Sequence, residues 1–158
     1  MSSTTLNIPL TDLNTAESVT FDDVVRSGKF IIDLWTTKCV RCPAALDKLN
    51  SMACTTHSEY TFCSIVLDAL DPARDIIHEP KDPRWQNIRH FHTTVDNKEQ
   101  MKAFYGFNQV PFYLVVVDGN VTHKGNKVDL QELLVKQQQN EVGEEKKEER
   151  EFVMDEDF

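Results

Sequence analysis

The sequence predicts an α/β protein: a central β-sheet of mixed strand direction, flanked by helices. Three observations carry that expectation. Short apolar runs rich in strand formers, 30–35 and 60–67, alternate with segments of helical spacing. The stretch 110–124 has the pattern of a β-hairpin, with Asp118-Gly119-Asn120 at its turn. A helical segment, 128–139, places Leu130, Leu133 and Leu134 inward and closes the domain.

Taken in order, residues 1–16 are polar with scattered apolar positions and are set apart as an N-terminal extension to a domain spanning 17–140. Residues 18–26 read as a short helix, with Thr20 as N-cap, Asp22 and Asp23 in the first turn, and Gly28 at its end. The run Phe30-Ile-Ile-Asp-Leu-Trp35 is nearly continuous in apolar residues, which suits a central strand covered on both faces. From Cys42 to about Ser58, Ala45, Leu46, Leu49 and Met52 recur on one helical face. Turn signals at Asp71-Pro72 and Asp82-Pro83 break up 68–95, where short helical segments near Ile76 and Trp85 and a strand over 88–95 are expected. Asp96, with Glu99 three residues on, has the spacing of a capping box and predicts a helix over 97–105 that stops at Gly106.

The chain has 158 residues, 40% of them hydrophobic, enough for one domain with a core. Its longest apolar run, 113–117, is far too short to span a bilayer. The opening Met-Ser-Ser-Thr-Thr lacks the basic and apolar regions of a signal peptide, so a cytoplasmic protein with no membrane partner is expected. A net charge of -9 argues against nucleic-acid binding. That charge is concentrated from Glu141 onward, where nine acidic residues accompany three basic ones. Residues 141–158 are read as an acidic, flexible tail, which either solvates the chain or docks through its apolar cluster on a basic protein partner.

Four cysteines occur, Cys39, Cys42, Cys54 and Cys63. In a reducing compartment paired cysteines point to catalysis or metal rather than to a structural disulfide framework. Cys39-Val-Arg-Cys42 falls where the 30–35 strand gives way to a helix. A Cys-x-x-Cys pair at a helix start brings two sulfurs into one turn, and the positive end of the helix dipole favours the thiolate of the leading one. Lys38 and Arg41 flank Cys39 and act in the same sense. Cys39 is therefore the candidate nucleophile and Cys42 the resolving thiol. Half of a structural zinc site is the alternative. Zinc takes four ligands as a rule, and Cys54 and Cys63 form no second Cys-x-x-Cys, so no metal is assigned. Cys63 is expected as a small buried hydrophobe and Cys54 as structural, the alternative for Cys54 being an exposed regulatory thiol. His90 and His92 share one strand face, where exposed side chains are expected and a metal would need a third ligand.

Asp33 lies six residues before the first cysteine and shares a strand face with Trp35 and Ile31. A carboxylate there is costly unless it is used; the alternative is a strand-edge aspartate facing water. The ordered set of strand Asp33, Trp35, Cys39-x-x-Cys42, Val110-Pro111, the Asp118-Gly119 hairpin and a closing helix resembles the thioredoxin family over about residues 17–136. The resemblance implies a thioredoxin fold and thiol–disulfide exchange without a bound cofactor. It implies that Asp33 relays a proton to and from Cys42, and that Val110 precedes a cis proline at Pro111 beside the sulfurs. Trp35, Lys38, Arg41, Val110 and Pro111 are then the substrate-binding set, with Trp35 packing beneath the turn.

The chain departs from thioredoxins at Lys38, where they carry tryptophan, and at Val40-Arg41, where they carry Gly-Pro. These departures make the surface around Cys39 more basic and point toward a dedicated, acidic partner. The length of 68–95 resembles the strand–helix insertion of TlpA-like and tryparedoxin-like proteins. Two functions are open at this point. One is a protein-disulfide reductase acting on disulfide-containing proteins and fed by an upstream reductase or a small thiol. The other is a binding scaffold that recruits a partner through the acidic tail or the insertion.

Overall fold

A computed structural model describes residues 5–55, 60–68, 72–73 and 85–126. The expected closing helix 128–139, the tail 141–158 and, within the insertion 68–95, residues 69–71 and 74–84 lie outside the described residues.

Chain order is β1 (Pro9–Asp12), β2 (Ser18–Thr20), α1 (Phe21–Val25), β3 (Lys29–Trp35), α2 (Cys42–Thr55), β4 (Tyr60–Val66), β5 (Arg89–His92), α3 (Val95–Tyr105), β6 (Phe112–Val117) and β7 (Asn120–Gly125). The strands form one sheet in the order β2-β1-β5-β4-β3-β6-β7. β3 runs parallel to β4 and antiparallel to β6, and β4 runs parallel to β5. This is the mixed sheet that the sequence predicts.

β3 sits inside this sheet because it is apolar on both faces: Phe30 to Trp35 are all buried. Strand alternation and the register place Ile31, Asp33 and Trp35 on one face with Phe62, Ser64 and Val66 of β4, His90 and His92 of β5, and Tyr113 of β6. Phe30, Ile32 and Leu34 take the other face with Cys63, Ile65, Phe91 and Leu114. α2 buries Ala45, Leu46 and Leu49, the stripe expected from helical spacing.

Three expectations are corrected. The domain does not begin at residue 17. β1 pairs antiparallel with both β2 and β5, and Ile8, Leu10 and Leu13 are buried. Residues 5–16 therefore extend the sheet rather than precede the domain, because their alternating apolar residues find a face to cover. The helix before Gly106 starts earlier than expected. Thr94, not Asp96, is its N-cap, with the hydroxyl accepting from Asn97 N at 3.2 Å. Asp96 instead sits in the first turn, where its charge suits the dipole. His90, expected at an exposed position, is 3% exposed, because Trp85 packs against it on that face of the sheet.

The α3 helix ends as expected at Gly106, which takes the left-handed conformation at φ 76° and returns its N–H to the Lys102 carbonyl. Tyr105 Oη, from the last turn, accepts from Leu6 N at 3.0 Å and ties the N-terminal segment to this helix. The β6–β7 hairpin turns at Asp118-Gly119, both at positive φ.

Candidate active site

Cys39 and Cys42 are joined in a disulfide at the mouth of α2, with their Cα atoms 5.4 Å apart. The two sulfurs are unequally placed. Cys42 is wholly buried as the first residue of the helix, and Cys39 retains 8% exposure in the loop before it. The loop, residues 36–41, carries local backbone bonds: Cys39 N donates to Thr36 O and Cys42 N to Cys39 O, both at 3.3 Å. Asp68, just past the end of β4, grips its start. The carboxylate accepts from Thr37 N at 3.1 Å and from Thr37 Oγ1 at 2.8 Å. Strand register thus sets the loop, since Leu67 N also donates to Trp35 O at 2.8 Å.

A second loop meets the first. The Val110–Pro111 peptide bond is cis, and the Val110 carbonyl oxygen lies 3.7 Å from Cys39 Sγ. Asn126 clamps this loop, donating through Nδ2 to the carbonyls of Gln109 and Pro111, each at 2.9 Å. The rings of Phe107 and Phe112 stack at 4.5 Å on either side of it in sequence. Val110 and Pro111 are themselves largely buried.

Of the expected substrate-binding set, Lys38 is exposed and Arg41 half-buried, both on the 36–41 loop, and Val110 lies against Cys39 with Pro111 following across the cis bond. Trp35 is fully buried, in keeping with the expectation that it packs beneath the turn. Val40, between the cysteines, is the most exposed large apolar side chain among the described residues, at 86%.

Asp33 is fully buried, not at a strand edge, and neither carboxylate oxygen has a hydrogen-bond partner. Burial raises the pKa of its carboxyl well above the usual carboxylate range. Tyr113, opposite it on β6, is pushed up by burial and then by the Asp33 charge. On the other sheet face, burial raises the Cys63 thiol to about 12, with Arg89 opposing. Cys54 is exposed.

Sequence reasoning missed Asp68 and Asn126, which order the two loops, and the polar contacts beneath them. Asp68 carries no spacing signal, because its partner Thr37 lies across the β3–β4 pair. Among the described residues no group of three His, Cys, Asp or Glu side chains is arranged to hold a metal ion, and no helix is long and apolar enough to cross a membrane.

No protein-family model matches this chain, and no curated protein matches it in sequence. Solved structures do. It is similar to the thioredoxin domain of a thiol-disulfide oxidoreductase from Bacteroides vulgatus, at TM-score 0.63 and 15% identity over 85% of this chain and 99% of that one. It is similar to the exposed lipoprotein thioredoxin Etrx1 of Streptococcus pneumoniae, at TM-score 0.61 and 13% identity over 87% and 100%. A secreted Mycobacterium tuberculosis disulfide oxidoreductase homologous to E. coli DsbE matches at TM-score 0.57 and 18% identity over 81% and 92%. The chain has the thioredoxin fold, and it carries a Cys-x-x-Cys disulfide at the mouth of α2.

Proposed function

We propose that this chain is a dithiol–disulfide oxidoreductase that reduces disulfides of protein substrates. The observation that carries the proposal is the asymmetry of the pair: a partly accessible Cys39 beside the Val110 carbonyl, a buried Cys42 behind it, and a buried, unpartnered Asp33 on the adjoining strand. An exchange enzyme needs one sulfur that a substrate can reach and one that it cannot.

In the proposed cycle the Cys39 thiolate attacks one sulfur of a substrate disulfide. A mixed disulfide forms, and the other substrate sulfur leaves as a thiolate that takes a proton from water. Cys42 then gives its proton to the Asp33 carboxylate and attacks Cys39 Sγ. The Cys39–Cys42 disulfide forms, the mixed disulfide breaks, and the second substrate sulfur departs as a thiolate. Two electrons have passed to the substrate, and an upstream reductase or a small thiol restores the dithiol. Asp33 suits this task because burial brings its carboxyl toward the range in which it both gives and takes a proton. Lys38 and Arg41 favour the Cys39 thiolate and acidic surfaces on the substrate. Val110 offers backbone groups to an extended substrate segment.

A scaffold without redox activity would gain nothing from Asp33. An unpaired carboxylate in the core opposes folding by at least the ~1–3 kcal/mol typical of a buried unsatisfied polar group. We further propose a reducing, cytoplasmic setting, in which the dithiol is the resting form. The test is insulin reduction with dithiothreitol as electron source. The wild-type chain should accelerate precipitation of the insulin B chain and Cys39→Ser should not; equal rates exclude the proposal.

A further inference from the structure

Beneath the redox loop runs a series of buried polar contacts that the thiol chemistry above leaves unused. Trp35 Nε1 donates to Ser64 Oγ at 3.3 Å, Ser64 Oγ lies 2.7 Å from His90 Nδ1, and His90 Nε2 lies 3.0 Å from the Trp85 carbonyl oxygen. Ser64 is fully buried and His90 nearly so. The partners dictate where the hydrogens sit. A carbonyl only accepts, so His90 Nε2 carries the proton. The bare Nδ1 of a neutral imidazole then accepts from the Ser64 hydroxyl, whose oxygen accepts from Trp35. With this order of donors each of these contacts has one donor and one acceptor.

The carbonyl held by His90 belongs to Trp85, whose φ of 53° is the left-handed conformation that bulky side chains rarely adopt. From there Trp85 reaches both ends of the redox loop. Its ring meets Trp35, the last residue of β3, edge-on with centroids 5.9 Å apart. Its Nε1 donates to Asp47 Oδ1 at 2.6 Å, and Asp47 lies on α2, the helix that Cys42 begins. Asn50, one turn further along α2, accepts from Asn87 N at 2.8 Å. The segment 85–87 therefore straps the end of β3 to α2, with residues 36–41 and Cys39 between them.

We propose that His90 is a positioning residue for the redox pair. As a neutral Nε2–H imidazole it bridges Ser64 and the Trp85 carbonyl, fixes the Trp85 strap across β3 and α2, and so keeps Cys39 and Cys42 within bonding reach when both are thiols. The proposal deepens the oxidoreductase assignment and rests on it for the redox role of the pair. The relevant equilibrium converts protein dithiol and glutathione disulfide into protein disulfide and two glutathione thiols. The two thiols of the pair lose two electrons and two protons to the glutathione sulfurs. Its position reports the effective concentration of one thiol for the other. A loosened strap lowers that concentration and favours the dithiol.

The test is the equilibrium constant of the full chain in glutathione redox buffers, read by mass spectrometry of alkylated Cys39 and Cys42. His90→Phe should shift it toward the dithiol by about tenfold, or ~30 mV in potential. Asp47→Ala, a surface change that removes the Trp85 bond to α2 and leaves that of Asn87 to Asn50, should shift it the same way by about threefold, or ~14 mV. Imidazole nitrogen-15 spectra of the wild type should place the His90 proton on Nε2. An unchanged constant in a folded His90→Phe chain overturns the proposal, as does a proton on Nδ1. Should that variant not fold, Asp47→Ala decides by the same criterion. No substrate turnover enters the measurement. A chain whose variants shift as expected, but which fails to reduce insulin, refutes the reductase and leaves the role of His90 standing.

Discussion

Asp33 and Tyr113 stand opposite each other on the β3–β6 ladder, both buried, and the charge of the carboxylate makes the phenol harder to ionise. The pair lies in the fully buried middle of the sheet, on the strand that leads into the Cys39–Cys42 loop. A carboxyl group in that position links stability to pH. In the unfolded chain it ionises near 3.8, and in the folded chain burial raises that value well above. Over the interval between, the folded chain binds more protons, so its stability falls as pH rises. Asp33→Asn should remove that fall. Denaturant titrations of the disulfide form should show the variant more stable than wild type by ~1–3 kcal/mol at pH 8, the scale of a buried unsatisfied group, with the gain disappearing near pH 3.5. The same variant should slow release of the mixed disulfide by about 100-fold, the lower range for loss of a general base. A stability gain that does not vary with pH would show that Asp33 is not the titrating group.

The basic residues of the redox loop predict a charge preference among disulfides. Lys38 is exposed beside Cys39, and Arg41 follows on the same loop. Charges of this kind act mainly on encounter, and salt screens them. Reversing both, Lys38→Glu with Arg41→Glu, should lower kcat/KM for anionic glutathione disulfide by about tenfold relative to neutral hydroxyethyl disulfide, within the range of electrostatic steering. The ratio of the two substrates cancels any change in potential or thiol reactivity. It should approach unity in 0.5 M salt. A ratio that reversal leaves untouched would mean that these side chains do not meet the substrate.

Much of this site is visible in the residue string because its signals are local. The 30–35 run, the Cys39-x-x-Cys42 spacing, the apolar stripe of α2 and the Asp118-Gly119 turn each occupy one short window, where periodicity and turn chemistry operate. What escapes is set by pairing between distant segments. β1 is only four residues long and becomes a strand through β2 and β5. The contact of Ser64 with His90 exists because parallel pairing of β4 and β5 sets those two residues side by side, and nothing in either neighbourhood announces it. Thr94 displaces Asp96 as a cap because two residues within one turn both offer capping oxygens, and the fold selects one.

The two cysteines outside the pair should differ sharply as reagents. Cys54 lies exposed near the end of α2, and Cys63 is buried in β4 with its thiol raised to about 12. Alkylation requires both a thiolate and access. At pH 8 the thiolate fraction of Cys63 is on the order of one in ten thousand, and reagent reaches it only when the sheet opens. Iodoacetamide added to the native, dithiothreitol-reduced chain should therefore label Cys39 and Cys54 within minutes and leave Cys63 unmodified. Labelling in denaturant should reach all four. Cys42, buried at the helix start, should lag Cys39 by at least tenfold, the difference in access that separates an attacking from a resolving thiol. Native labelling of Cys63 at the rate of Cys54 would contradict the placement of β4 inside the sheet. Equal rates at Cys39 and Cys42 would remove the asymmetry on which the assignment of attacking and resolving sulfurs depends.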